Sequence, residues 1–162
     1  MKFFQRPQPL PTEIKSVMKT NEYLLAWSAH SDGLLAVTDQ RLISSTSQGI
    51  STFLWQDSLS AKWDQPWLSL VVMQGQLPQT LAWKLDEPGL VPTAVRDRVT
   101  AAIVIDRLID VPDVGRVRFI ARRTADGVIW STVPESSVDS QSASIQELIR
   151  ESLRALRSTL GI

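Results

Sequence analysis

Cysteine is absent from this chain of 162 residues, and histidine occurs once, as His30. Without Cys there is no thiol nucleophile, no disulfide, no thiolate zinc site and no iron–sulfur cluster. One His excludes a multi-histidine metal site, and His30 lies in a turn with no partner at a recognisable nucleophile spacing. An excess of charge of one sign is missing too, since 17 Lys and Arg balance 17 Asp and Glu. That balance disfavours nucleic acid or an acidic membrane as a partner and leaves room only for a local patch. No window approaches the ~18 uninterrupted apolar residues of a membrane span. Phe3-Phe4 falls well short of the roughly 7–15 apolar residues of a signal peptide, so a cytoplasmic location is expected. Glycine is scarce at 7 residues. No Gly-rich phosphate loop, Gly-x-Ser-x-Gly elbow or His-Glu-x-x-His motif occurs. Paired carboxylates such as Asp57 and Asp64 could meet only in space. The expectation is a non-enzyme without a cofactor.

What is present is ordinary globular material, 43% hydrophobic and 21% charged. A chain of this length can bury about 70% of its unfolded surface. Residues 1–21 read as an N-terminal arm: Pro7, Pro9 and Pro11 favour an extended course over 1–11, and a short helix fits Thr12 to Lys19. From Glu22 the pattern becomes short strands: Tyr23–Ser28, Leu34–Thr38, Arg41–Ser47, Ile50–Trp55, Leu59–Asp64, Trp67–Met73 and Thr80–Asp86. Their spacing of roughly eight to twelve residues predicts a sandwich or small barrel.

Pro88-Gly89 closes the strand series, and Pro92 suits the first turn of a helix carrying Val91, Val95 and Val99 on one face. Residues 22–102 therefore form one predicted domain. Ile103 to Asp110 continues that helix or becomes a strand; its β-branched start favours strand. Gly115–Thr124 and Val128–Val133 form a hairpin across Ala125-Asp126-Gly127. Ile145, Leu148, Ile149, Leu153, Leu156 and Leu160 make the apolar stripe of a C-terminal helix. Ser144 with Glu147 fits a capping box and Gly161 a C-terminal stop. The stripe either packs on its own sheet or forms a homodimer interface. Residues 103–162 thus extend the barrel sheet or form a separate subdomain.

Seven strands followed by one amphipathic helix is the element order of the pleckstrin-homology fold. The run Asp32-Gly33-Leu34-Leu35-Ala36-Val37-Thr38-Asp39-Gln40-Arg41-Leu42-Ile43 resembles the second and third strands of bacterial PH-like and GRAM-like domains. A wider set resembles an uncharacterised family of actinobacterial proteins over residues 20–160. It comprises Leu25-Ala26-Trp27, Thr38-Asp39-Gln40-Arg41-Leu42, Trp55-Gln56-Asp57, Ala61-Lys62-Trp63-Asp64, Val95-Arg96-Asp97-Arg98-Val99 and Arg122-Arg123. The resemblance implies an α+β fold and no particular activity. Its core would be a PH-like seven-stranded antiparallel barrel or sandwich capped by a helix. A β-hairpin or three-stranded extension and a C-terminal amphipathic helix would follow. Domains of this kind that bind phosphoinositides carry Lys and Arg around the loop between their first two strands. Here that loop is Ala29-His30-Ser31-Asp32-Gly33, which lacks those charge-assisted donors.

The remaining candidate site lies on the hairpin. Arg116, Arg118 and Arg122 share one face by period-two alternation, Arg123 sits on the other parity, and Trp130 lies across the turn. Such a stripe could take an anionic ligand, a phospholipid or a nucleic-acid backbone. Asp106, Asp110 and Asp113 could instead neutralise it by cross-strand pairing. The six Trp read mainly as core, with Trp67 the most exposed of them. A non-enzymatic module engaging a protein partner is the leading expectation, and a small hydrolase or transferase the weakest.

Overall fold

The computed structural model describes residues 9–162, so most of the arm expected over residues 1–11 lies outside the described residues. The chain opens with a short helix α1 (Thr12–Lys15), which stops earlier than the expected Lys19. Strands β1 (Leu24–His30), β2 (Gly33–Thr38), β3 (Arg41–Thr46) and β4 (Gly49–Leu54) then form an antiparallel sheet in chain order. A 3-10 turn at Trp55–Asp57 leads into a second antiparallel sheet of β5 (Ser58–Asp64), β6 (Trp67–Gln74) and β7 (Leu77–Lys84). Helix α2 (Val91–Ala102) follows, and β8 (Ile103–Val111) begins at the next residue. With β9 (Gly115–Thr124) and β10 (Gly127–Pro134) it makes a third antiparallel sheet, before helix α3 (Ala143–Leu160).

The first two sheets do not close into the expected barrel. β4 and β7 remain edge strands with no ladder between them. Pro78, which has no N–H to donate, occupies the β7 edge opposite Met73. Leu35, Val37 and Leu42 of the first sheet pack with Leu68, Leu70, Val72 and Trp83 of the second, and Val91, Val95 and Val99 of α2 close one end. The unbroken apolar run Leu34–Val37 departs from alternation because this sheet is covered on both faces. Its outer residues Ala36 and Ile43 lie under Ile14, with Leu10, Val17 and Met18 around them.

Residues 103–162 form a sheet of their own rather than an extension of the first two. The α3 stripe is used within the chain: Ile145, Leu148, Ile149, Leu153 and Leu156 pack on Val111, Val117, Phe119 and Trp130. The capping box expected from Ser144 and Glu147 does not form, because the helix starts two residues earlier than that cap implies and Ser142 takes the cap position. The Ser142 and Ser144 hydroxyls meet at 2.9 Å, and Glu147 turns toward Arg150 at 3.6 Å. Gly161 does end the helix, with φ 73° and the Ile162 N–H donating to the Arg157 carbonyl at 3.1 Å.

Gly33 begins β2 against the backbone of β3. A Cβ there would stand 1.8 Å from the Ser45 carbonyl oxygen, whereas one at Gly49 would meet nothing within 4 Å. Gly33→Ala should therefore cost at least about 2 kcal/mol, lowering the melting temperature by roughly 4–8 °C. Gly49→Ala should cost clearly less, reflecting backbone strain alone. Thermal unfolding of the two variants measures the difference, and equal losses would show that the close approach is not what matters.

Candidate functional site

The Arg-bearing face of β9 points into the molecule. Arg118 donates from Nε and Nη2 to both carboxylate oxygens of Asp106, at 2.8 and 2.6 Å. Its Nη2 also reaches the Leu59 carbonyl at 3.0 Å, which ties the third sheet to the second. Arg122 is 2% exposed and donates to the Gln56 carbonyl and the Ser131 hydroxyl. Burial pushes its pKa down, an effect the nearby Asp57 carboxylate partly offsets. Arg116 alone of the three stays well exposed, 3.1 Å from Glu135. Trp130 pairs with Ala121 and so occupies the opposite face, under α3. The five candidates thus do not converge. Alternation correctly separates the two faces of β9, but both are covered, one by α3 and the other by the 3-10 turn and β5.

The Thr38-Asp39-Gln40-Arg41-Leu42 segment is structural chemistry of a specific kind. Glu22, whose side chain is fully buried, accepts from Arg41 Nε at 2.8 Å, Arg41 Nη2 at 3.0 Å, the Thr38 hydroxyl at 2.7 Å and the Lys19 N–H at 2.9 Å. Arg41 Nη2 also donates to the Val17 carbonyl at 2.7 Å. The Arg41 guanidinium, with these further donors, holds the Glu22 carboxyl down at about 2 against the opposing effect of burial. Asp39 accepts from the Tyr23 N–H at 2.7 Å, and Trp55 Nε1 donates to the Thr38 carbonyl at 2.9 Å. Sequence reasoning placed these residues at a tight turn and missed Glu22. The signal was available: a lone carboxylate beside the first strand, with no other partner for an inward Arg41.

The loop between β1 and β2 is a tight turn without Lys or Arg. His30 Nδ1 accepts from the Asp32 N–H at 3.2 Å, and burial lowers its pKa. Trp55 and Trp83 lie in the core, and Trp67 is 49% exposed.

Two surface features remain. One is a seam between β4 and β7, with a cavity of about 180 Å³ over Ser44, Ser51, Phe53, Leu81 and Trp83. The other is a cleft of about 300 Å³ where the β2–β3 corner, the 3-10 turn, the end of α2 and the β9–β10 turn meet. Arg98 and Arg123 line this cleft with Asp39, Gln40, Trp55 and Gln56, so four of the separated sequence segments come together there. Among the described residues there is no cluster of three or more His, Asp or Glu able to hold a metal ion, and no helix is long and apolar enough to cross a membrane. No family model, curated protein or solved structure matches the chain.

The Glu22 carboxyl sits below its unfolded value of 4.5, so its contribution is complete above that pH and lost as pH falls from 4.5 toward 2. The wild-type chain should lose about 2–3 kcal/mol across that window from this group alone. Glu22→Gln should be less stable at pH 7 and flatter over the same window in acid titrations followed by denaturant unfolding. Arg122→Ala should cost about 2–3 kcal/mol by leaving buried acceptors unmatched, whereas Arg123→Ala should leave the melting temperature unchanged. Equal stability of these two Arg variants would overturn the structural role given to Arg122.

Proposed function

We propose that the protein is a non-enzymatic, PH-like binding module of the cytoplasm that takes an extended segment of a partner protein along strand β4. The order of a four-stranded sheet, a three-stranded sheet and a closing helix supports the PH-like reading. The observation that carries the binding role is the β4 edge itself. Gly49–Leu54 contains no charge and no Pro, and its outer edge has no strand beside it. Ile50 and Leu54 are 42% and 40% exposed on one face, while Phe53 turns inward to meet Trp83 edge-on at 6.1 Å. Edge strands are normally blunted by charge, Pro or a covering element, because unpaired N–H and C=O groups invite another chain. β7 carries Pro78 and Lys84, β8 carries Asp106, Arg107 and Asp110, and β5 lies under α2. β10 ends in Pro134 and β1 meets α2, whereas β4 has none of these. Its guest would be an uncharged extended peptide, since the strand presents backbone groups and small apolar side chains without a charge to pair.

An Arg-strand anion site has less to support it, because Arg118 and Arg122 already donate inward. A homodimer through α3 has less to support it, because the stripe apart from Leu160 packs within the chain.

Selection of peptides from a displayed random library on the full chain tests this reading. The selected peptides should be extended and weakly charged, and should protect β4 amides from hydrogen exchange. Ile50→Lys should weaken their binding at least about tenfold without altering the melting temperature. Failure to select any peptide, protection elsewhere, or undiminished binding by Ile50→Lys would count against it.

A further inference from the structure

We infer that the cleft between the end of α2 and the β9–β10 turn is a binding site for a short carboxylate ligand, held by Arg98 and Arg123. Neither guanidinium donates a hydrogen bond to any described residue, and the Arg98 Nε is buried without a partner. A buried donor left unmatched costs free energy unless something accepts from it. Two guanidinium groups lining one cleft offer forked donors suited to a carboxylate.

The surrounding charges choose between oxyanions. Among the residues lining the cleft, Arg98 and Arg123 supply two positive charges and Asp39 one negative charge, and a monoanion cancels the one positive charge left over. The Asp39 carboxylate accepts from the Tyr23 N–H, which holds it in place at the cleft. Ala101 and Ala102 are the last two residues of α2, so the negative end of that helix dipole meets the cleft and works against a doubly charged phosphate. Ala101, Ala102, Ala125 and Trp55 give part of the remaining lining an apolar character, alongside Gln40, Gln56 and Thr124. The combination fits a carboxylate on a small apolar body, whether a free acid or the C-terminus of a peptide. The site is separate from the β4 edge and does not depend on the partner reading.

The test is an NMR and calorimetric titration of the full chain at constant ionic strength with sodium butyrate, inorganic phosphate, and a short apolar peptide with either a free or an amidated C-terminus. Butyrate should bind saturably in the millimolar range, shifting the Arg98 and Arg123 Nε–H signals and the Thr124 and Ala125 amides. Phosphate should bind more weakly. Tighter binding of the free-acid peptide than of butyrate, with none by the amide, would assign the ligand to a peptide terminus; the reverse order would assign it to a small free acid. Arg123→Gln, at an exposed position near the end of β9, should reduce butyrate affinity at least about tenfold with an unchanged melting temperature, and Arg98→Gln should do the same if it folds. No saturable shift, shifts away from this cleft, phosphate binding tighter than butyrate, or full affinity in Arg123→Gln would each overturn the proposal.

Discussion

The buried ion pair between Glu22 and Arg41 is the contact on which the rest of the arrangement hangs. Removing both groups from water is costly, and a single pairing would not offset that cost. Here the carboxylate accepts four hydrogen bonds, and the guanidinium adds a fifth donation to the Val17 carbonyl. The pair thereby fixes the entry of the N-terminal segment, which carries Ile14 onto the outer face of the first sheet. It also fixes the β2–β3 corner, because the Thr38 hydroxyl serves Glu22 and the backbone of Gln40 and Arg41 together.

From that corner the order propagates by further polar contacts. Trp55 donates to the Thr38 carbonyl, which sets the start of the 3-10 turn. The next residue in the turn, Gln56, presents its carbonyl to Arg122, and Arg122 reaches Ser131 of β10. One route of hydrogen bonds therefore runs from the N-terminal segment through the first sheet to the third. Arg118 adds a second tie, from Asp106 to the Leu59 carbonyl of β5. The third sheet is held by these guanidinium groups on one face and by the apolar α3 stripe on the other. A β strand buried on both faces by such different means has no counterpart in a simple apolar–polar alternation.

That contrast explains how much was legible beforehand. The strand series, α2 behind Pro92 and the Gly161 stop follow from local chemistry: turn residues, β-branched runs and helical periodicity. The α3 stripe could be read, but whether it covers its own sheet or a second chain is a tertiary fact. The open seam was not readable, because ladder formation between β4 and β7 depends on sheet twist and on strands far apart in the chain. Arg122 shows the same limit most sharply. Period-two spacing places it with Arg116 and Arg118, yet it says nothing of what lies over that face. The convergence of Arg98 and Arg123 was equally hidden, since their helix and strand ends meet only through the placement of the third sheet.

The division of labour among the arginines then follows from position rather than type. Arg41, Arg118 and Arg122 each donate to a carboxylate, hydroxyl or carbonyl that folding has removed from full hydration, so their donors stabilise the framework. Arg98 and Arg123 sit where four sequence-distant segments leave a gap, and neither donates a hydrogen bond to a described residue there. The β4 edge has the corresponding property in backbone form, with a row of N–H and C=O groups that the fold does not pair. Among the described side chains the buried polar atoms without a partner are Arg98 Nε in the cleft, Arg122 Nε and His30 Nε2. The β4 edge and the cleft each leave hydrogen-bonding groups unpaired and adjoin in the chain, since the residue after Leu54 of β4 is Trp55 of the cleft lining.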